Sequence, residues 1–484
     1  MTQGTATTTS VQRDRIFAGG EWISPAARDE IVVQNPADLS EVGRTPDASE
    51  RDVDVAVHAA REAFDHGPWP RMTFAERAEW MFKLADEMER RGAETSALIT
   101  DEIGQPVRLS RPWAQVIPVN HVRYYANIAK TYEEEEVRPN VRREGTSIIR
   151  KEPLGVAALI VPWNQPQAST TLKLAPALAA GCTIVLKPAE ETPLDAYHFA
   201  EASLAIGMPP GVINIVPGGR ETGRALVAHP GIDKVSFTGS PEAGKLIAAA
   251  AGARLIPVTL ELGGKSAAIV LESADLDEMF TSLRNASFDN TGQTCALLSR
   301  VVVPRSLYGT VRDRLVDLAR DLRVGDPEDE ATELGPLVSK RIHDRVSGLV
   351  DTARSQGATI LAGDTTLPDV GYYFAPTIVD DVSPDSLIAQ EEVFGPVVTI
   401  LPYDGVEQAI EIANNSRYGL AGAVYGDPDE VLPVARRIRT GSIGLNGYKP
   451  DLNHPYGGYK ESGLGREFGP EAIGNFQETK SIWR

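Results

Sequence analysis

Cysteine is scarce in this chain: 484 residues carry 2, Cys182 and Cys295. Two cysteines build no disulfide framework and no CxxC pair offers a zinc site, so a reducing cytoplasm is the compartment expected. Histidine is equally thin, 7 residues with no HxH or HExxH spacing, and no metal site is expected. Basic residues are outnumbered, 48 Lys and Arg against 67 Asp and Glu, for a net charge of -19. Such a balance disfavours nucleic acid and anionic membrane as partners. No apolar run approaches the ~20 residues of a membrane span. The Thr-rich start, Met1 to Ser10, lacks the basic and apolar regions of a secretory signal and reads as a frayed tail. A Gly-x-Gly-x-x-Gly dinucleotide fingerprint is also missing.

What remains is an ordinary soluble composition, 42% hydrophobic and 24% charged, in a chain long enough for about two or three domains. Short β-like runs between Phe17 and Gly43 precede a helical stretch from Ser49 to about Lys130. The acidic run Glu133 to Glu136 reads as a solvated face. From Gly145 the texture alternates. Strand-like runs at Val156–Val161, Thr183–Leu186, Val212–Val216 and Lys234–Phe237 are separated by Ala-rich helical segments around 168–180, 192–206, 221–228 and 241–251. Alternation of this kind implies a parallel sheet covered on both faces, with ligands at the carboxyl ends of its strands. A second α/β stretch runs from Ser266 to about Ile443, with Ala267–Leu271, Arg300–Val303, Val397–Leu401 and Ala421–Tyr425 read as strands.

The chemistry-bearing residues admit two readings each. Cys295, in Thr291-Gly292-Gln293-Thr294-Cys295, is a buried structural thiol or a nucleophile; the polar residues before it are atypical of a core and favour the nucleophile. Cys182, in an apolar helix-to-strand turn, reads as structural. Glu261 is a surface carboxylate, or a desolvated general base between apolar Val258-Thr259-Leu260 and Gly263-Gly264. Asn164 can donate its amide to an oxyanion. Lys187 and Glu190 are an exposed loop pair, or they hold the ribose of an adenosine, where an acidic residue favours NAD over NADP. Phe237-Thr238-Gly239-Ser240, followed by Pro241 and an Ala-rich helix, is a bland turn or a helix N-terminus holding a pyrophosphate.

Together, Pro162-Trp163-Asn164, Lys187-Pro188-Ala189-Glu190, Phe237-Thr238-Gly239-Ser240, Glu261-Leu262-Gly263-Gly264-Lys265, Gly292-Gln293-Thr294-Cys295, Glu391-Glu392-Val393-Phe394-Gly395-Pro396 and Gly458 to Glu467 resemble, in order and spacing, the NAD(P)-dependent aldehyde dehydrogenase superfamily. The resemblance covers nearly the whole chain. It implies an α/β fold of two Rossmann-like parallel-sheet domains plus a small β oligomerisation element. An NAD-binding domain would take residues 11–130 and 150–260, a catalytic domain 261–461, and the oligomerisation element 131–149 with 473–484. A homodimer or homotetramer is implied.

The same resemblance implies a mechanism. Cys295 attacks an aldehyde, Asn164 and the Cys295 N–H hold the oxyanion, hydride passes to nicotinamide, and water deprotonated by Glu261 cleaves the thioester to a carboxylic acid. Lys173 and Glu467 would assist proton transfer. The cofactor, NAD with NADP as the weaker alternative, would lie against Val161, Pro162, Trp163, Lys187, Ala189, Glu190, Gly219, Gly223, Phe237, Thr238, Gly239, Ser240, Leu262, Gly263, Glu392 and Phe394. Retention of Glu261 favours hydrolysis over transfer to coenzyme A. The substrate tunnel would involve Trp113, Gln165, Ser169, Thr294, Ala296 and the loop Tyr448 to Tyr456, less aromatic and roomier than in many members. The rival readings are a cofactor-free thiol esterase and a non-catalytic scaffold; the nucleotide-site residues oppose the first, and the presence of Cys295 and Glu261 opposes the second.

Overall fold

The structure, a computed structural model, describes residues 10–483. The reading of the first residues as a frayed tail lies, but for Ser10, outside the described residues. Two large sheets organise the chain. The first has eight strands, in spatial order Gly463–Leu464, Val258–Glu261, Lys234–Thr238, Val156–Ile160, Thr183–Lys187, Ile213–Ile215, Ile16–Ala18 and Glu21–Ile23. Its five central strands are parallel, and antiparallel strands close both edges. Val156–Ile160 and Thr183–Lys187 are buried at every position. This is the continuous apolar reading expected of parallel strands covered on both faces. One face packs against Phe74–Ile103, Ile117–Ala129 and Pro166–Ala180, the other against Glu50–Asp65 and Arg220–Ala228.

Register sets the first half of the site. Ile160 lies opposite Lys187 and Phe237, Phe237 opposite Leu260, and Thr238 opposite Glu261. Residues distant in sequence therefore end their strands along one rim, as parallel sheets require of ligand-bearing edges. The helix Pro166–Ala180 starts with proline at its first position and stops at Gly181, whose φ of 99° suits glycine's freedom.

The second sheet has seven strands, in order Thr359–Ile360, Thr377–Asp380, Val397–Tyr403, Arg300–Pro304, Ala267–Val270, Gly422–Tyr425 and Gly444–Leu445. All pairs are parallel except the Thr359–Ile360 edge. A three-stranded antiparallel sheet joins Glu135–Pro139, Thr146–Pro153 and Gln477–Trp483. A second small sheet holds Val11–Gln12, Glu41–Pro46 and Glu30–Gln34.

Two details differ from the sequence reading. The C-terminal strand starts at Gln477, because Pro470–Phe476 coils into a 3-10 turn that buries Ile473 and Phe476. The segment between 462 and 472, assigned to no unit from sequence, supplies Gly463–Leu464 as an edge strand beside Glu261.

Candidate active site

Glu261 ends its strand with its side chain inside the protein, at 4% exposure, and neither carboxylate oxygen has a hydrogen-bond partner. Burial pushes its pKa well above the usual carboxylate range, and the neighbouring Glu467 carboxylate adds to the rise. Lys173 and Arg466 oppose it. Unpartnered buried carboxylates are costly and rare outside working sites. Gly457 makes room: a Cβ there would stand 2.5 Å from Glu261 Oε1, and its φ of 151° lies in the region that favours glycine.

Cys295 lies on the loop that follows the helix Leu276–Ala286. Its sulfur is 3.6 Å from the Tyr456 hydroxyl, and burial pushes the thiol up to about 12, against the pull of that hydroxyl. Cys295, Glu261, Thr238 and Glu467 all line one cavity of about 500 Å³, whose other walls include Trp113, Ile117, Gln165, Ser169, Leu172, Leu452 and Phe468.

The loop before Cys295, whose polar residues are atypical of a core, is nevertheless buried. Thr291 and Gln293 are almost fully buried, because an irregular buried loop must find partners for its backbone groups. Gln293 accepts from the Val338 N–H at 2.9 Å and donates to Asn290 O at 3.1 Å. Asn290 Nδ2 donates to Asn164 O at 3.0 Å, and Asn164 Nδ2 donates to Gln293 O at 2.8 Å. Asn164 is thus held against the cysteine loop with one of its two amide hydrogens committed.

Lys173, whose side chain has no exposed surface, donates to Thr238 Oγ1 at 2.6 Å and pairs with the Glu467 carboxylate. The structure therefore joins Cys295, Glu261, Lys173 and Glu467 around one cavity, and Thr238, read from sequence as a cofactor residue, spends its hydroxyl on Lys173.

Several cofactor residues of the sequence reading meet one another in the structure. Trp163 and Phe394 meet edge to face, centroids 5.3 Å apart at 88°, with Phe394 held at φ 62°. Such a backbone for an aromatic residue is a strained state that functional sites retain. Glu392 accepts the Gly264 N–H at 2.9 Å, and burial raises it to about 7. A Cβ at Gly263 would fall 2.4 Å from Glu392 Oε2, one at Gly223 3.5 Å from the Lys187 stem, and one at Gly219 3.2 Å from Glu190 Oε2. Buried Lys187 donates to Pro188 O at 2.8 Å, and desolvation lowers it to about 8. Ser240 caps the helix Pro241–Arg254, accepting from Ala243 N at 3.2 Å. These features, a buried lysine, two carboxylates each packed close against a glycine, and a serine-capped helix N-terminus, fit a dinucleotide. Val161, Pro162, Ala189, Phe237, Gly239 and Leu262 lie in the same strand ends and loops.

The chain matches the model of the aldehyde dehydrogenase family over residues 22–482. It belongs to that family. Among relatives, it is 44% identical over 475 residues to a geranial dehydrogenase of Castellaniella defragrans, covering 98% of this chain and 99% of the relative. It is 40% identical over 472 residues to aldehyde dehydrogenase family 2 member C4 of Arabidopsis thaliana, covering 97% and 94%. Among solved structures, a Mycobacterium tuberculosis aldehyde dehydrogenase complexed with NAD+ superposes with a TM-score of 0.95 at 42% identity, covering 98% of each chain. The chain is accordingly an oxidoreductase, an NAD-dependent aldehyde dehydrogenase.

The roles of four residues of this dehydrogenase's site escaped sequence reasoning. Tyr456 was placed only in a tunnel loop, yet its hydroxyl meets the sulfur. Asn290 and Gln293 carry the web behind Asn164, and Asp47 accepts the Gly219 N–H at 2.9 Å. Their signal is three-dimensional, because their partners lie far away in the chain.

Cys182 is fully buried, its thiol bonded to Phe476 O at 3.4 Å, and desolvation raises it to about 11. Both thiols are therefore weak acids, and access separates them. Iodoacetamide is expected to label one thiol per native chain, Cys295, and two after denaturation. Labelling of Cys182 in the native protein would contradict the packing described.

Proposed function

We propose that this dehydrogenase converts an aldehyde to the carboxylic acid through a thioester on Cys295, with Glu261 as the base that activates water. The observation that carries the reading is the shared cavity, into which Cys295 and an unpartnered buried carboxylate both open. The Cys295 sulfur bonds to the aldehyde carbon to give a thiohemiacetal. The remaining Asn164 amide hydrogen and the Cys295 N–H receive the developing oxyanion. NAD, when bound, supplies the two-electron acceptor that turns the thiohemiacetal into a thioester. Glu261 then takes a proton from water, the hydroxide adds to the acyl carbon, and the carbon–sulfur bond breaks to release the acid and return the thiolate. Lys173, Thr238 and Glu467 form the hydrogen-bonded route for the proton that leaves the site.

Glu392 and Phe394 would hold the nicotinamide end of the cofactor, Lys187 and Glu190 the adenosine ribose, and Ser240 with Gly239 the pyrophosphate. Residues 11–130 with 150–260 would form the NAD-binding domain, 261–461 the catalytic domain, and 131–149 with 473–484 an oligomerisation element of a cytoplasmic homodimer or homotetramer. Exposed Val137 and Trp483 on that antiparallel sheet support a subunit contact.

The cavity walls formed by Trp113, Ile117, Leu172, Leu297 and Leu452 suit an apolar chain, with Gln165, Asn120 and Asp289 interrupting them. A branched aldehyde of medium length is the substrate class these walls favour. The geranial dehydrogenase relative supports this choice. The test is NAD reduction across linear, branched and aromatic aldehydes, with the acid product identified. Branched medium-chain aldehydes are expected to give the highest kcat/KM, and a preference for short polar semialdehydes would overturn the substrate reading. Glu190→Gln is expected to raise kcat/KM with NADP about tenfold by removing the carboxylate that opposes a 2′-phosphate. An unchanged NAD-to-NADP ratio would remove Glu190 from the ribose site.

A further inference from the structure

The wall of the Cys295 cavity that carries Tyr456 is built from tyrosines. Tyr448 and Tyr456 line both this cavity and a second one of about 290 Å³ that opens beside Ser442, Pro450 and Asp451. The Tyr456 hydroxyl stands 3.6 Å from Cys295 Sγ. The Tyr448 hydroxyl is 2.9 Å from Ser442 Oγ. The Ser442, Tyr448 and Tyr456 hydroxyls thus belong to residues that line the second cavity, and the last of them reaches the sulfur.

The placement of Tyr456 is fixed independently of its hydroxyl. Its ring stacks on Phe468, centroids 5.1 Å apart at 26°, and its backbone exchanges two 2.7 Å hydrogen bonds with Glu467. The ring therefore cannot swing away without disturbing the strand-like pairing that also carries Glu467 toward Lys173.

We propose that Tyr456 is a catalytic residue whose hydroxyl donates to the Cys295 sulfur and stabilises its thiolate. This rests on the reading of Cys295 as the nucleophile. The thiolate needs such help. Burial opposes its formation, and the carboxylates of Glu392 and Glu261 face it with like charge. Lys173, the nearby cation, is committed to Glu467 and Thr238. Tyr456 itself stays protonated, because burial and the neighbouring Cys295, Tyr448 and Glu261 all raise its hydroxyl above the usual phenol range. A hydrogen bond to a charged acceptor is strong enough to matter for nucleophile population.

The test is the pH profile of Cys295 alkylation by iodoacetamide in the free full-length enzyme, comparing wild type and Tyr456→Phe. Phenylalanine keeps the ring and its stacking, so the fold is retained. The profile of Tyr456→Phe is expected to move to higher pH by about one unit, with about tenfold slower alkylation at pH 8. Superimposable profiles for Tyr456→Phe and wild type would overturn the proposal, even if turnover fell, since a steric role in the tunnel would lower turnover without moving the thiol. Alkylation reads the thiol directly, so these outcomes are distinct from failure of the nucleophile assignment, which retained turnover in a Cys295 variant would reveal.

Discussion

Replacing Cys295 with alanine is expected to lower aldehyde turnover by about ten-thousand-fold or more, while NAD affinity stays within about twofold of wild type. The separation follows from the geometry. The sulfur opens into the cavity lined by Trp113, Leu172 and Leu452, whereas the glycine-cleared cleft of Lys187, Glu190 and Glu392 is built from other strand ends. No neighbouring group can replace the thiol as nucleophile. Cys182 is buried behind the helix Pro166–Ala180, against Phe476. Thr294 adjoins Cys295, but an unactivated hydroxyl is a far poorer nucleophile than a thiolate. Isothermal titration with NAD beside a steady-state assay checks both halves. Substantial turnover in Cys295→Ala would end the covalent account, and lost NAD binding would mean that the substitution disturbs the cofactor cleft.

Glu261→Gln is expected to divide the reaction in time. One equivalent of reduced cofactor per active site should form at near wild-type rate, followed by steady turnover lower by about a hundred- to a thousand-fold. The amide preserves shape and cannot take a proton from water. Stability should respond in the opposite sense. Below the ordinary glutamate value of 4.5 the Glu261 carboxyl is protonated in both folded and unfolded chains and contributes no difference. Above that pH the unfolded chain releases the proton while the native site, with its raised affinity, holds it. Stability therefore falls as pH rises from the unfolded value toward the native one. Glutamine escapes this cost. The melting temperature of Glu261→Gln relative to wild type should climb between pH 5 and pH 8, as measured by calorimetry at each pH. A flat difference would mean that the carboxylate is compensated in the folded protein. The site would then be a place where function is maintained against stability.

How much of this was legible in the residues follows from what kind of signal each residue carries. Cys295, Glu261 and Asn164 are chemically distinctive and sit beside glycines or at the ends of apolar runs, so both position and chemistry show in one dimension. The strands Val156–Ile160 and Thr183–Lys187 were equally plain, because full burial demands unbroken apolar runs. The edge strand Gly463–Leu464 was not, since two residues carry no periodicity and its partner Leu260 lies about two hundred positions away. Gln293 was legible only in part: its polarity marks the loop as atypical of a core, but only the fold shows that its amide satisfies Val338 and Asn290. Tyr456 looked like one aromatic among several in a loop, and only the fold brings its hydroxyl to the sulfur.

The central claim is a thioester carried on Cys295 and cleared by Glu261. Its most direct test is peptide mass analysis of Glu261→Gln, acid-quenched after mixing with NAD and a branched aldehyde. The account predicts a mass increase equal to the acyl group, confined to the peptide containing Cys295 and absent in the double variant with Cys295→Ala. Multiple turnovers without any acyl adduct on Cys295, or an adduct on another residue, would contradict it.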